Sequence, residues 1–188
     1  KNRLKNIGKV SLKNALNFSF SGVMLRSTGI KWDLRKSQPY EVYHNLQFTI
    51  PVGKNGDCFD RYLLRIEEMR QSLNLIQQVL NLIPEGFISN QNKFSQKTSM
   101  EKVITHFKQY STGLKVGNGI TPLYIEAPKG EFGVFLVTNN SNKPYRCKRL
   151  SPGFKHLQGM NLLAYNHYIS DVATILGTQD IVFGEVDR

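Results

Sequence analysis

Cysteine and long apolar runs are scarce in this sequence, and each scarcity excludes a class of protein. Only two cysteines occur among 188 residues, and Cys58 and Cys147 form no CxxC pattern. A disulfide framework and a thiolate metal site are therefore unsupported, and reduced thiols in a non-secretory compartment are expected. No apolar run approaches the roughly 18 residues of a membrane-spanning helix, and no signal peptide is recognisable. The sequence predicts a soluble protein or one peripheral to a membrane.

Acidic residues are also few relative to basic ones. The sequence contains 25 Lys and Arg against 14 Asp and Glu, which gives a formal net charge of +11 at pH 7. Such an excess favours an anionic partner, a nucleic acid or a phospholipid surface, although it says nothing about the fold. The 11 Phe and 8 Tyr argue against disorder, and the length suffices for one domain that buries roughly 70% of its unfolded surface.

The first residue is Lys1 and not methionine. Initiator methionine is removed only before small residues, so a chain that begins with lysine is expected to have been cut, imported or given without its beginning. The sequence is therefore a candidate piece of a larger protein.

The clearest predicted element is a long helix after residue 57. Asp57 follows a Gly/Asn turn and suits an N-cap, and Pro84 ends the pattern because proline cannot continue a helix. Between them, apolar residues recur at intervals of three and four, which places them in one stripe along about seven helical turns. The stripe consists of Tyr62, Ile66, Met69, Leu73, Ile76 and Leu80.

Shorter periodicities surround this helix. Residues 1–37 show no clear period, whereas residues 40–50 alternate as a strand does, with Pro51 as its stop. Thr98 and Glu101 have the spacing of a capping box at the start of a second helix.

The last third of the chain predicts a small sheet followed by helices. Residues 121–137 read as a β-hairpin whose turn is Pro128-Lys129-Gly130, and "YRCKRL" predicts a third strand. In the helical pattern that follows, Gly159 is expected to split two helices and Gly177 to stop the last one. The predicted class is α+β, mainly α, with a small antiparallel sheet inserted between helices.

Few patterns in the sequence match a known chemistry. His44, His106, His156 and His167 share no metal-ligand spacing, so structural or surface roles are expected. The segment around the single tryptophan is denser, and "WDLR" (32–35) predicts a hydrogen-bonded corner in which Asp33 pairs with Arg35 or Arg26. A nucleic-acid site is the alternative for this segment, but it lacks the aromatic and basic alternation of an RNA-binding sheet.

Five long stretches, in order and covering nearly all of residues 5–188, resemble one family. It is the 49-kilodalton core subunit of respiratory complex I, a relative of the large subunit of nickel–iron hydrogenases. The stretches are "FSGVMLRSTGIKWDLRKSQPYEVY", "FTIPVGKNGDCFDRYLLRIEEMRQSL", "IEAPKGEFGVFLV", "KPYRCKRLSPGF" and "GTQDIVFGEVDR".

The resemblance implies a fold and a place in an assembly. Residues 1–188 would be the C-terminal portion of one hydrogenase-large-subunit-like domain, a helical bundle with small β elements. The subunit would lie in the matrix-side peripheral arm at the mitochondrial inner membrane, beside a neighbour that holds the last iron–sulfur cluster. FMN and the clusters would belong to other subunits, because no cysteine constellation here can bind a cluster. Ubiquinone would be the substrate, with no activity for this chain alone.

The family's C-terminal end also implies site residues. Hydrogenases place cysteine ligands of the nickel–iron centre there, whereas "GTQDIVFGEVDR" has none, which implies a lost metal site. Asp180, Val182 and Phe183 match positions that line or border the quinone cavity, so this tail is expected to be buried in the assembly. An apolar wall suits a quinone ring, and a desolvated Asp180 carboxylate can be proton-active.

One departure leaves two readings open. The family's N-terminal half, with the histidine and tyrosine that hold the quinone headgroup, is absent, and none of the four histidines here stands in that motif. Partners would therefore include that half as a separate or unrepresented chain, the cluster-bearing neighbour and other complex I subunits. Either this chain forms part of the quinone cavity, or it is mainly a structural scaffold. Nucleic-acid binding is the third and weakest possibility.

Overall fold

The computed structural model describes residues 3–86 and 100–187 and contains short helices, one long helix and a small sheet. The described elements fall into two compact units, one of residues 1–81, 124–133 and 150–188 and the other of residues 82–123 and 134–149. The described α-helices are α1 (Leu12–Asn17), α2 (Val23–Arg26), α3 (Leu34–Ser37), α4 (Cys58–Leu82), α5 (Met100–Ser111), α6 (Pro152–Gln158), α7 (Met160–Ala164), α8 (Ile169–Gln179) and α9 (Phe183–Asp187).

The long helix α4 confirms the prediction from apolar spacing. Its first turn is capped by Asp57, whose Oδ1 accepts a hydrogen bond from the Asp60 amide at 2.9 Å. The other carboxylate oxygen of Asp57 accepts the Asn6 amide at 3.0 Å, so the cap also fixes the N-terminal segment. The helix ends at Leu82, two residues before Pro84, as the restriction on residues that precede proline requires.

The first unit has a core built from segments far apart in sequence. Residues 1–37, which show no period, contain α1 to α3 and supply most of this core. The first turn of α4 and the C-terminal helices supply the rest, so the core joins both ends of the chain. Its buried members are Val10, Ala15, Phe20, Met24, Leu25, Cys58, Leu163 and Ile175.

The sheet confirms the predicted hairpin and third strand. Strands β1 (Gly119–Ala127), β2 (Gly130–Thr138) and β3 (Arg146–Leu150) form an antiparallel meander in the order β1-β2-β3. The hairpin tip approaches Gly22 so closely that a Cβ there would lie 2.6 Å from the Gly130 Cα. Both glycines have positive φ, +63° and +143°, which other residues rarely adopt.

The strand predicted at residues 40–50 is wrong. The segment contains a 3₁₀ helix, Tyr43–Asn45, followed by extended backbone without a strand partner among the described residues. Its amides bond to side chains of α4 instead: Gln47 N–H donates to Gln78 Oε1 at 2.8 Å, and Thr49 N–H to Gln71 Oε1 at 3.2 Å. The alternation in the sequence instead reflects the packing of Leu46 and Phe48 against Leu75 of α4.

The predicted ends of the C-terminal helices are partly correct. Gly159 separates α6 from α7, as expected, but Gly177 lies inside α8 and does not stop it. The helix runs on to Gln179 and ends where Asp180 adopts a left-handed conformation, with φ 56° and ψ 44°. Asp tolerates that conformation better than most residues, so it replaces the glycine. The predicted capping box at Thr98 lies outside the described residues.

Candidate functional site

The candidate site is a cleft of about 520 Å³ in the first unit. Four parts of the chain surround it: α2 and the segment that follows it, the middle of α4, the tip of the β-hairpin, and the end of α8. Six of its fourteen lining residues carry charged side chains, a high share because ligand pockets are mostly apolar. The charged lining residues are Arg26, Arg35, Arg65, Glu68, Glu126 and Asp180.

An ionic cluster centred on Arg26 forms one wall. The Arg26 guanidinium donates from Nε and Nη2 to Glu68 Oε1 at 2.9 and 2.8 Å, and from Nη1 to Glu126 Oε1 at 2.8 Å. A further bond joins Nη1 to the Trp32 carbonyl at 3.1 Å. The side chains of Arg26 and Glu126 are each only 3% exposed, so this cluster links three separate chain segments inside the protein.

Burial and ion pairing shift the pKa values of Arg26 and Glu126 in opposite directions. Burial lowers the pKa of Arg26, but the carboxylates of Glu68 and Glu126 outweigh it, so the pKa is raised above its ordinary value. For Glu126, burial raises the pKa and the Arg26 guanidinium offsets this only in part. The cluster therefore holds Arg26 firmly as a cation, while the pKa of the Glu126 carboxyl stays above its ordinary value.

The "WDLR" segment forms the predicted corner. Asp33 caps α3 through a bond from the Arg35 amide at 2.9 Å, and its two oxygens accept the Arg35 side chain at 3.0 and 2.7 Å. Of the two pairings expected for Asp33, that with Arg35 is confirmed. Arg26 bonds instead to Glu68 and Glu126. Leu34 N–H also donates to Glu126 Oε2 at 3.3 Å, which ties the corner to the hairpin.

Asp180 lies at the same cleft, where its left-handed backbone ends α8. Beside it, Arg65 of α4 donates from Nη2 to the Thr178 carbonyl at 2.7 Å, one of the carbonyls that a helix end leaves without a partner. Burial lowers the pKa of Arg65, and the Asp180 carboxylate opposes this shift. Arg65 therefore both caps the helix and faces the acid that follows it.

The two apolar residues predicted with Asp180 lie elsewhere. Val182 is 52% exposed and Phe183 is 72% exposed, and neither lines the cleft. The described chain does not itself bury this pair, so the expected burial of the tail in an assembly stays a prediction. The structure brings Asp180 together with the ionic cluster and leaves Val182 and Phe183 on the surface.

The tail is nevertheless attached to the unit through Glu185. Its carboxylate accepts bonds from Lys129 Nζ and from the Gly153 amide, both at 3.0 Å, and Ser151 Oγ donates to its backbone carbonyl at 3.2 Å. These contacts explain why an acid lies near the apolar residues. The carboxylate fixes α9 to the hairpin turn and to the start of α6.

Sequence reasoning missed most of the charged cleft. Arg26, Glu68 and Glu126 stand in three different stretches of the sequence, and nothing in the spacing of any stretch indicates that they meet. The only available signal was the cost of burying charge: Arg26 follows the apolar run "GVML" and Glu126 ends the apolar run "LYI", where an unpaired charge would be expensive.

Other buried polar residues lie outside the cleft, among them Arg61 and His156. Arg61 is fully buried and donates to the carbonyls of Gly56 and Gly8 at 2.9 Å each and to Cys58 Sγ at 3.0 Å. His156 is 1% exposed, and burial lowers its pKa to about 4. The backbones of Ser21 and Gln179 approach the ring and offset the effect of burial on this pKa in part, but neither ring nitrogen has well-formed hydrogen-bond geometry among the described residues, so His156 is a neutral packing residue.

The described residues do not fit an iron–sulfur cluster. Cluster ligation takes about four side chains, usually cysteines, whereas the sequence has two, of which Cys58 is buried and Cys147 is exposed. In residues 3–86 and 100–187, no group of three or more His, Cys, Asp or Glu is arranged to hold a metal ion. Over the same ranges, none of the helices has both the length and the apolar character that a membrane crossing requires.

Comparison with known proteins identifies the family. The profile of the family described as respiratory-chain NADH dehydrogenase, 49 Kd subunit, matches residues 1–188. The NADH-ubiquinone oxidoreductase 49 kDa subunit of Reclinomonas americana is 59% identical over 195 aligned positions, and that of Acanthamoeba castellanii is 56% identical. The protein of Arabidopsis thaliana named NADH dehydrogenase (ubiquinone) iron-sulfur protein 2 is 54% identical. Each alignment covers 100% of this chain but 49% or 50% of the relative, so the chain spans about half their length.

Proposed function

Since this chain belongs to the family of the 49-kDa subunit of respiratory-chain NADH dehydrogenase, we propose that it is part of a core subunit of NADH:ubiquinone oxidoreductase. The observation that carries this proposal is the match over all 188 residues, supported by identities of 54–59%. In the proposed complex, FMN and the iron–sulfur clusters are held by other polypeptides. The complex lies at the mitochondrial inner membrane, with this chain in the matrix-side peripheral arm.

Within that complex, we propose that Asp180, Val182 and Phe183 contribute to the ubiquinone cavity. Two features of the structure support this. Asp180 faces a cleft of about 520 Å³, and Val182 and Phe183 offer exposed apolar surface three residues away or less. The apolar pair would contact the quinone ring. The Asp180 carboxylate would stand next to Arg65, where it can hold a hydrogen-bonding neighbour or exchange a proton as the quinone is reduced.

The experiment compares Asp180→Asn with Asp187→Asn in the assembled complex. Both changes neutralise an acid of the tail, but Asp187 is exposed at the end of α9. If Asp180 takes part in proton exchange, its variant changes the pH profile of quinone reduction, whereas the control does not. An unchanged rate and pH profile in Asp180→Asn would remove the proton role.

A scaffold role is the second candidate, and the exposure of Val182 and Phe183 favours it equally, because exposed apolar residues also mark docking surfaces. The variants Val182→Ala and Phe183→Ala separate the two. Altered quinone affinity or inhibitor sensitivity in a fully assembled complex supports the cavity. Loss of assembly supports the scaffold.

Nucleic-acid binding carries little support once the family is known. The net charge of +11 can be neutralised by neighbouring chains in an assembly. Binding to nucleic acid that weakens steeply with salt would reopen this possibility.

A further inference from the structure

The three proposed site residues lie on a segment that polar contacts hold at its two ends. Residues 178–185 contain Asp180, Val182 and Phe183. None of the residues from 180 to 187 is buried, and none belongs to the hydrophobic core of the first unit or packs against it. The position of this stretch therefore depends on the bonds that precede and follow it.

The beginning of the segment is held by two helices. Arg65 of α4 donates from Nη2 to the Thr178 carbonyl at 2.7 Å. The neighbouring Gln179 is buried, and its Nε2 donates to the His156 carbonyl of α6 at 3.2 Å. Because α4 and α6 each supply one partner, the backbone immediately before Asp180 is fixed from two sides.

The end of the segment is held by Glu185 and a lysine. Lys129 Nζ donates to Glu185 Oε2 and the Gly153 amide donates to Oε1, both at 3.0 Å. The side chains of Lys129 and Glu185 are only 23% and 19% exposed, so solvent screens this pair less than a surface pair. A Cβ at Gly153 would lie 3.0 Å from Glu185 Cδ, so glycine at this position leaves the carboxylate its room.

Lys129 belongs to a turn that is itself firmly packed. Glu131 N–H donates to Ser21 Oγ at 3.1 Å, and a Cβ on Gly22 would lie 2.6 Å from the Lys129 carbonyl oxygen. The backbone of the turn therefore rests directly on the residues that precede α2. From that fixed base the Lys129 side chain reaches Glu185.

We propose that Lys129 is a positioning residue for ubiquinone reduction, which acts through Glu185 to hold Val182 and Phe183 at the quinone cavity. The inference rests on the proposed function, because it takes those two residues as part of the cavity. A wall that is already held in place binds its ligand without a further cost of ordering. Loss of the lysine cation weakens this hold while the bond from the Gly153 amide remains.

The test compares Lys129→Gln with Lys13→Gln in the assembled complex. Both variants remove one positive charge from the first unit, but Lys13 is exposed on α1. The KM for decylubiquinone and kcat are measured separately, because a wall that contacts the ring of the bound quinone contributes to KM more than to kcat. We expect KM to rise about fivefold with Lys129→Gln, equivalent to about 1 kcal/mol, and to stay unchanged with Lys13→Gln.

A double-mutant cycle shows whether the lysine acts through Glu185. Glu185→Gln keeps a side-chain oxygen for the Gly153 amide but removes the charge that Lys129 binds. Two residues that act through one interaction give non-additive effects, so the double variant should raise KM no more than either single variant. Lys129→Arg, which retains the cation, should restore most of the affinity. Additive effects would overturn the inference, because the lysine would then act by another route.

Hydrogen exchange separates a failure of this inference from a failure of the proposed function. Peptides that cover residues 181–187 should exchange faster in Lys129→Gln than in Lys13→Gln. Unchanged exchange with an unchanged KM refutes the positioning role alone, since the alanine variants of Val182 and Phe183 still test the cavity directly. Faster exchange with an unchanged KM refutes the inference together with the proposed cavity.

If Lys129→Gln does not assemble, Glu185→Gln supplies the same comparison. It removes the ion pair and leaves the lysine in place. An unchanged KM in this variant would overturn the inference.

Discussion

The two sides of α4 reverse the usual arrangement of a globular protein. Towards the interior, α4 contributes a fully buried arginine, Arg61, and the partner of another, Glu68. Towards the outside it presents Leu73 and Leu80, which are 68% and 65% exposed. In a free monomer the opposite arrangement is expected.

This difference shows which side chains of α4 and its neighbours have their contacts within the described chain and which do not. Most donors of the buried arginines bond within the chain, since Arg26 reaches two carboxylates and a carbonyl and Arg61 reaches two carbonyls and a thiol. The buried Arg61 Nε is an exception, with no hydrogen-bond partner among the described residues. The exposed apolar row has no comparable partner among the described residues. The buried guanidinium groups are therefore largely satisfied within the chain, whereas the described residues leave the apolar row on the outside uncovered.

The largest expected effect comes from removing Arg26 from the buried ionic cluster. Arg26→Gln leaves Glu68 and Glu126 without their counter-ion, and removal of one member of a buried ion pair costs about 3–5 kcal/mol. We expect a strong loss of the assembled complex, measured by blue native electrophoresis after expression at a fixed level. The matched control is Arg70→Gln, because Arg70 pairs with Glu67 on the surface and exposed pairs contribute little. Equal losses with both variants would contradict the role of the buried cluster.

The next largest expected effect is a dependence of folding stability on pH that comes from His156. Its pKa is about 4 in the folded chain against an ordinary 6.5, because burial outweighs the backbone groups of Ser21 and Gln179 and the carboxylate of Glu185, all of which raise it. The unfolded chain therefore binds a proton that the folded chain does not, between those two pH values. The contribution of neutral His156 is complete above pH 6.5 and is lost as the pH falls to 4, by about 3 kcal/mol in total.

Hydrogen exchange of α6 in the assembled complex, corrected for intrinsic rates, measures this slope. His156→Gln, which cannot titrate, should flatten it. His106→Gln should leave it unchanged, because His106 is exposed on α5. A slope that persists in His156→Gln would assign the pH dependence to another group.

A smaller effect is expected at the margin between the two faces, where Arg65 holds the end of α8. Arg65→Gln removes the bond to the Thr178 carbonyl, and a hydrogen bond from a charged donor contributes about 1.5–3 kcal/mol. We expect faster amide exchange in residues 176–181 of the assembled complex, with Arg65→Lys intermediate. Unchanged exchange in the glutamine variant would show that Asp180 keeps its position without Arg65.

The smallest effect has the opposite sign. Gly177 lies inside α8, has no positive φ, and nothing lies within 4 Å of the position where a Cβ would stand. Gly177→Ala should therefore stabilise the helix by about 0.5–1 kcal/mol. Gly22→Ala is the contrasting case, because its φ is +63° and the new Cβ would lie 2.6 Å from Gly130 Cα. Thermal denaturation of the complex should separate them, and destabilisation by Gly177→Ala would indicate a partner packed on α8.

Local sequence patterns correctly predicted those elements whose hydrogen bonds and contacts join residues close together in the chain. The helix from Cys58 to Leu82, the hairpin and the Asp33–Arg35 pair all depend on neighbours a few positions apart. The strand predicted at residues 40–50 failed because its amides bond to Gln71 and Gln78 of α4, 22 and 31 positions away. The stop predicted at Gly177 failed because Asp180 can adopt the left-handed conformation too.

The sequence by itself determined the family, the excess of basic charge and most of the regular elements, because long motifs, composition and spacing are properties of the chain alone. Only the tertiary structure decided that Arg26 meets Glu68 and Glu126, that Asp180 shares their cleft while Val182 and Phe183 do not, and that the apolar stripe of α4 faces outward. The physical reason is that helical spacing groups residues on a face, whereas contacts between distant segments determine which face is buried.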